Sequence, residues 1–218
     1  MHRHSLGVTK ASAVPVENVT ADVADEASVR EVVDTAARRF GGVDILVNNA
    51  GIYPSLPLES LDSAEFDRVV AVNLRGVFLF TKYVSELMKA QGRGGHIINV
   101  TSIDALHPSM IGLAAYDATK HGVWGFMKNA ALELAPYNIQ VNAVAPGGIT
   151  TPGVQTMNSG AAAGVDTEAL TAAFLAAIPM RRMGEPDDIG KVVLFLVSDM
   201  ASYMTGTQVV VDGGALLT

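Results

Sequence analysis

Residues 96–144 read HIINVTSIDALHPSMIGLAAYDATKHGVWGFMKNAALELAPYNIQVNAV, and this stretch decides the fold. It opens with a β-branched run, His96 to Val100, and crosses a segment broken by Pro108 and Gly112. It then settles into helical period from Tyr116 to Leu134 and closes on a second β-branched run, Ile139 to Val144. Two short strands separated by a long helix read as parallel neighbours, because a parallel pair needs a crossover long enough to hold a helix. Outward from this unit the same alternation continues. Val16 to Ala21, Asp44 to Asn48 and Gln208 to Asp212 read as strands. Glu26 to Phe40, Ala64 to Lys89 and Pro186 to Ser198 read as helices, with Ser63 and Glu185-Pro186 as start signals and glycines 41, 92, 94 and 95 as stops. The pattern predicts a parallel sheet covered by helices. Residues 147–180 are rich in Gly, Ala and Thr, with one helical stretch at Glu168 to Ala177, and read as a substrate-covering segment within a single domain spanning 1–218.

Composition narrows the function. With 15 basic and 22 acidic residues the net charge is -7, which disfavours nucleic acid and anionic membrane as partners and leaves a small molecule. There is no cysteine, so disulfides and thiolate metal sites are excluded. The five histidines lack metal-ligand spacing, and no metal is expected. Lys10 and Ser12 interrupt any leader-like apolar run near the start, and Lys128 and Glu133 interrupt the most apolar helix, so the protein is expected to be soluble and cytoplasmic.

Several residues could carry chemistry. Tyr116 and Lys120 are spaced i,i+4, which places both side chains on one helix face; a neighbouring ammonium would lower the phenol's pKa. By itself that spacing is ordinary on a helix surface. Ser102 follows the strand His96 to Val100, at the carboxyl edge where open α/β sheets bind ligands, though a strand-end serine is also a common turn residue. Asn48-Asn49-Ala50-Gly51 and Pro146-Gly147-Gly148-Ile149-Thr150-Thr151 leave other strands at the same edge. Asn73 interrupts an apolar helical pattern, where a buried amide must find partners, whether functional or structural.

Taken together, NNAG at 48–51, VN at 72–73, Ser102, Y-x-x-x-K at 116–120 and PG-x-x-x-T at 146–151 resemble the short-chain dehydrogenase/reductase family in order and spacing. The ending, from Met183-Gly184-Glu185-Pro186 through Tyr203-Met204-Thr205-Gly206 to Val211-Asp212-Gly213-Gly214, is similar to that family's carboxyl-terminal part. The resemblance implies a Rossmann-like sheet and an alcohol/carbonyl oxidoreductase using NAD or NADP. It implies Tyr116 as general acid/base and Lys120 as the group that lowers the Tyr116 pKa and binds the nicotinamide ribose. Ser102 would orient the substrate oxygen, and Asn73 would hold a water that feeds protons to Lys120. Cofactor contacts would fall to Asp22, Val23, Asn49, Ala50, Gly51, Tyr116, Lys120, Pro146, Gly147, Ile149 and Thr151. Assembly would be as a homodimer or homotetramer, through Ala64 to Lys89 and Tyr116 to Leu134.

Two departures stand out. Ser102 and Tyr116 are fourteen apart, one more than the family pattern, so the intervening loop should bulge. The glycine-rich T-G-x-x-x-G-x-G turn with its strand and helix is not among these 218 residues; only fifteen precede Val16, and a βαβ unit needs ~30. The expectation is therefore a truncated sheet of about five strands instead of about seven. Val16 to Ala21 would move beside Asp44 to Asn48, and cofactor binding would be weakened. A dehydrogenase-like scaffold or ligand-binding module without activity is the competing expectation.

Overall fold

In the computed structural model of the chain, residues 15–151 and 167–218 are described, with the side chains of the second span described from 172 onward. Four strands make one parallel sheet in the order β1-β2-β3-β4: β1 Ile45–Asn48, β2 Gly95–Val100, β3 Ile139–Pro146 and β4 Gln208–Val211. Chain order and sheet order coincide. The register sets Asn48 beside Asn99 and Val100 beside Val144, so the loops leaving β1, β2 and β3 emerge together at one edge.

Alternation along the strands divides the core. Ile97, Val141 and Ala143 face Val29 and Val33 of α1 (Glu26–Phe40), Leu79, Val84 and Met88 of α3 (Gly76–Gln91), and Met127 and Leu134 of α4 (Ala114–Leu134). Ile98 and Val144 turn the other way and meet Ile189, Val192 and Leu196 of α6 (Pro186–Leu196). Each such side chain removed from water contributes about 1.5–3 kcal/mol, so the sheet is fixed from both sides at its centre. Helix ends follow local chemistry: the Asp25 carboxylate accepts the Ser28 N–H at 2.9 Å to start α1, and Gly41, at φ 77°, stops it. The helix expected over 64–89 spans α2 (Ser63–Val70) and α3, joined by a π-helical turn, Ala71–Arg75. The helical stretch of the covering segment is α5, Thr167–Ala177; residues 152–166 of that segment lie outside the described residues.

One expected strand is not formed. Val16 to Ala21 is irregular and exposed, Val16 at 59% and Val19 at 41%, and does not join β1, so the sheet has four strands among the described residues rather than five. The reason lies in the spacing. Val16 and Val19 are three apart and would point to opposite faces of a strand, so no single apolar face rewards pairing. The segment is instead tied to the end of α1 by an ion pair, Glu17 to Arg39 at 3.8 Å.

Candidate active site

The π-helical turn places Asn73 in the floor of the site. Its side chain is 2% exposed and bridges to backbone, accepting the Ile52 N–H at 2.8 Å and donating to the Ile52 carbonyl at 2.7 Å. It also donates to Thr119 Oγ1 on α4 at 3.2 Å. One amide thus ties three elements: the helix that carries it, the loop leaving β1, and the helix that carries Tyr116 and Lys120. A wide turn at this point fits the frequency of such turns at functional sites. The preceding asparagine of the motif, Asn48, reaches Asn99 Oδ1 at 2.9 Å and Thr81 Oγ1 at 3.3 Å, locking β1 to β2 beneath the site.

The Lys120 ammonium is 6% exposed and donates to the Val100 carbonyl at 2.7 Å, at the end of β2. Burial lowers its pKa to about 8, with the Asp104 carboxylate opposing. Tyr116, one turn earlier on α4, is half-buried, and its ring lies 5.4 Å from the ammonium. Here the expectation of a lowered phenol pKa is corrected. Burial pushes it up to about 12; the Ser102 hydroxyl pulls it down, while Asp104, Tyr53 and Asp117 add to the rise. Lys120 points at the Val100 carbonyl instead, and withdrawal of the phenol from water dominates.

Ser102 is 6% exposed and caps a 3-10 turn, Ile103–Ala105, by accepting the Asp104 N–H at 3.1 Å. The loop from Ser102 to Tyr116 runs through this turn and meets the loop after β1, where the Leu56 N–H donates to the Gly112 carbonyl at 2.9 Å. Gly112 is at φ 95°, and a Cβ there would lie 2.8 Å from Ser55 Oγ, so glycine is required.

Asn73, Ser102, Tyr116 and Lys120 are therefore brought together, with Gly51 beside them: a Cβ on Gly51 would sit 3.5 Å from Asn73 Oδ1 and 3.8 Å from Lys120 Nζ. Asn49, Ala50 and Gly51 are exposed above this floor. Pro146, Gly147 and Ile149 leave β3 at the same edge; Gly147 lets the loop pass close to Asp212, where a Cβ would meet Asp212 Cβ at 2.7 Å. Ile149 bridges to Gly184, and Thr151 is the last residue before 152–166. Asp22 and Val23 make no described contact with the four. Asp22 serves its own turn, accepting the Ala24 N–H at 2.9 Å, and Val23 packs on Gly76.

The residues fit one half of a nicotinamide cofactor. Lys120 spends one of its three N–H donors on Val100, and the glycine beside it leaves space for a sugar. A pyrophosphate would meet acid at three of the described helix N-termini, where Asp25 caps α1, Asp62 caps α2, and Glu185 with Asp188 forms a capping box on α6; α4 starts without a side-chain cap.

Three partners were not anticipated from sequence: Tyr53, whose ring stands edge-on to Tyr116 at 6.0 Å; Thr119, which receives Asn73; and Asp104. The only signal available was position, two residues beyond Gly51 for Tyr53 and two beyond Ser102 for Asp104.

A family model described as enoyl-(acyl carrier protein) reductase matches residues 4–215. Levodione reductase of Leifsonia aquatica is 42% identical over 203 residues, covering 91% of this chain and 74% of that protein. Cyclopentanol dehydrogenase of a Comamonas species is 40% identical, covering 88% of this chain and 74% of that protein. Among solved structures, a short-chain dehydrogenase/reductase from Burkholderia xenovorans superposes with a TM-score of 0.87 at 38% identity, covering 92% of this chain and 75% of that one. Levodione reductase superposes at 0.83, covering 89% and 74%. Motifs, parallel sheet and relatives agree: the chain belongs to the short-chain dehydrogenase/reductase family.

Proposed function

We propose that this chain is a nicotinamide-dependent oxidoreductase that interconverts an alcohol and a ketone or aldehyde. The convergence of Asn73, Ser102, Tyr116 and Lys120 at the carboxyl edge of the sheet carries the reading. NAD or NADP, when bound, exchanges the hydride with the substrate carbon. Tyr116 manages the proton, giving it to the carbonyl oxygen in reduction and taking it from the alcohol in oxidation. Its high pKa keeps it in the acid form at neutral pH, which suits reduction. Ser102 orients the reacting oxygen. Lys120 offers its two remaining donors to the nicotinamide ribose and favours the phenolate as it forms. Asn73 holds the loop after β1 in place and, with Lys120, a water on the proton route.

Relatives named for levodione and cyclopentanol make cyclic ketones and cyclic secondary alcohols the substrates to assay first. The test is turnover of such ketones with NADH and with NADPH. Measurable oxidation of one of the two cofactors is expected, and folded protein that oxidises neither would sink the reading.

A second reading, a scaffold or binding module without activity, is favoured by the acid-capped helix N-termini. It predicts no change in cofactor fluorescence on titration with either reduced form. Oxidoreduction predicts a saturable change at weak affinity, because the nicotinamide half alone is engaged. The proposal extends to residues 147–180 as the cover over substrate within one domain. It also takes in a homodimer or homotetramer built on α3 and α4, where Phe78 is 42% exposed and meets Phe126 edge-on. No helix among the described residues is long and apolar enough to cross a membrane, and a cytoplasmic location accords with that.

A further inference from the structure

Ser102 has one proton to give, and the structure has already directed it. Ser102 Oγ donates to Asp104 Oδ2 at 2.7 Å while accepting the Asp104 N–H at 3.1 Å. A hydroxyl carries one donor and two acceptor positions, so this leaves one lone pair and no proton for anything else. The Tyr116 phenol lies within hydrogen-bonding reach of the same hydroxyl. Asp104 is itself 7% exposed, and its second oxygen accepts the Ser109 N–H at 2.9 Å, inside the lengthened loop between Ser102 and Tyr116.

We infer that Asp104 is a positioning residue that draws the Ser102 proton away from the reacting oxygen and, through Ser109, ties the orientation of that serine to the substrate loop. A serine proton directed at Asp104 is not available to Tyr116, so the downward pull of the Ser102 hydroxyl on the phenol is weakened in this arrangement. The charged and titratable groups around the phenol are few among the described residues. Tyr53 approaches from the β1 loop, Asp104 from the 3-10 turn, and Asp117 and Lys120 from α4, with His121 set against Asp117. Asp104, through its direct bond to Ser102, is the one that can change what the serine offers.

Replacing Asp104 by Asn inverts that bond. The Ser109 N–H requires an acceptor, so the amide oxygen turns to it and the amide nitrogen faces Ser102. The nitrogen donates to Ser102 Oγ, the serine proton swings outward, and a phenolate at Tyr116 gains a donor while losing a nearby negative charge. The inference rests on Tyr116 as the acid–base group, but its test does not need turnover. In the full chain labelled with 13Cζ-tyrosine, the Tyr116 resonance is identified by its absence from Tyr116→Phe, and its midpoint is read from the fraction ionised at about pH 11, about a tenth for a phenol at about 12 and several-fold more or less for a shift of about one unit either way. Asp104→Asn should move the midpoint down by about one pH unit or more, and the acid limb of kcat/KM for alcohol oxidation should move with it. Ser102→Ala in the Asp104 background should leave the resonance nearly where it was, and in the Asp104→Asn background should reverse most of the change. If Ser102→Ala raises the midpoint equally in both backgrounds, or Asp104→Asn leaves it in place, the inference is overturned. Should Asp104→Asn fail to fold, Ser102→Ala alone decides, since a rise of about one pH unit would mean that the serine was already donating to Tyr116. Loss of turnover with both cofactors would remove the proposed reaction without touching the resonance.

Discussion

The inner end and the outer edge of β1 differ sharply. At its carboxyl end Asn48 is 8% exposed, bonded to Asn99 and Thr81, and the chain runs on into the loop held by Asn73. Ile45 and Val47 of the same strand are 46% and 41% exposed, and no described strand pairs with β1 on the side away from β2. The precision of this fold therefore resides at the inner end. The floor of the candidate site is determined by side-chain to backbone bonds that cross between elements, so it does not need the sheet to continue beyond β1. The edge depends wholly on what lies beside it.

The largest effect should come from the phenol. Tyr116→Phe should reduce carbonyl turnover by about 10²–10⁴-fold, as loss of a general acid does, with the fold and the fluorescence of bound cofactor unchanged. A variant retaining most of its turnover would remove Tyr116 from the mechanism.

Next is the tie beneath it. Asn73→Ala strands the N–H and C=O of Ile52 and should cost about 2–6 kcal/mol, at about 1–3 kcal/mol for each stranded group, read from the denaturant midpoint at constant slope. If the cost is negligible, the floor is held by something other than cross-element bonds, and the contrast with the edge weakens.

The third probes the inner end through pH. Lys120 ionises at about 8 in the folded chain against an ordinary 10.5, so between those values the unfolded chain holds a proton that the folded chain has lost. Stability therefore rises with pH across that window. The cost of burying the charge is fully present below about 8 and gone above 10.5. Tyr116 acts oppositely but higher, between 10.0 and about 12, where the folded chain keeps the proton and stability falls. Lys120→Met should therefore compare most favourably with the parent near pH 7 and lose about 2–3 kcal/mol of that relative advantage by about pH 10, a tenfold change in proton affinity being worth about 1.4 kcal/mol. Parallel thermal midpoints at both pH values would show that the ammonium is not buried as described.

The smallest effect belongs to the edge. Val47→Lys should change stability by no more than about 0.5 kcal/mol, since the site is surface, while reducing self-association seen by light scattering. A large loss of stability would mean that another segment or copy covers this edge in solution.

The helices and four strands were legible because each carries its own period or β-branched run, and Asn73, Ser102, Tyr116 and Lys120 because their spacing survives whatever happens elsewhere. Val16 to Ala21 misled because a short apolar run gains strand structure only from a partner, and its two valines sit out of phase. The direction in which the Tyr116 pKa moves was hidden for another reason: i,i+4 spacing reports adjacency to Lys120 but not burial of the phenol or the carboxylate of Asp104 across the loop. Asp104 and Thr119 act through partners brought near by folding, so no local pattern marks them.

The π-helical turn at Ala71–Arg75 has a consequence for how this helix can change by mutation. A turn of that kind behaves as one residue inserted into an α-helix, advancing everything beyond it by ~100° about the axis. Residues 63–70 and 76–91 are thus two helical phases spliced at Asn73, one serving α4 and the loop after β1, the other serving β1 and β2. Deleting a single residue within 71–75 would restore an unbroken α-helix, a gain in local regularity, and would rotate one of the two faces out of alignment with its neighbours. The irregularity is therefore self-protecting: the chain can lose it only by losing the binding floor in the same event.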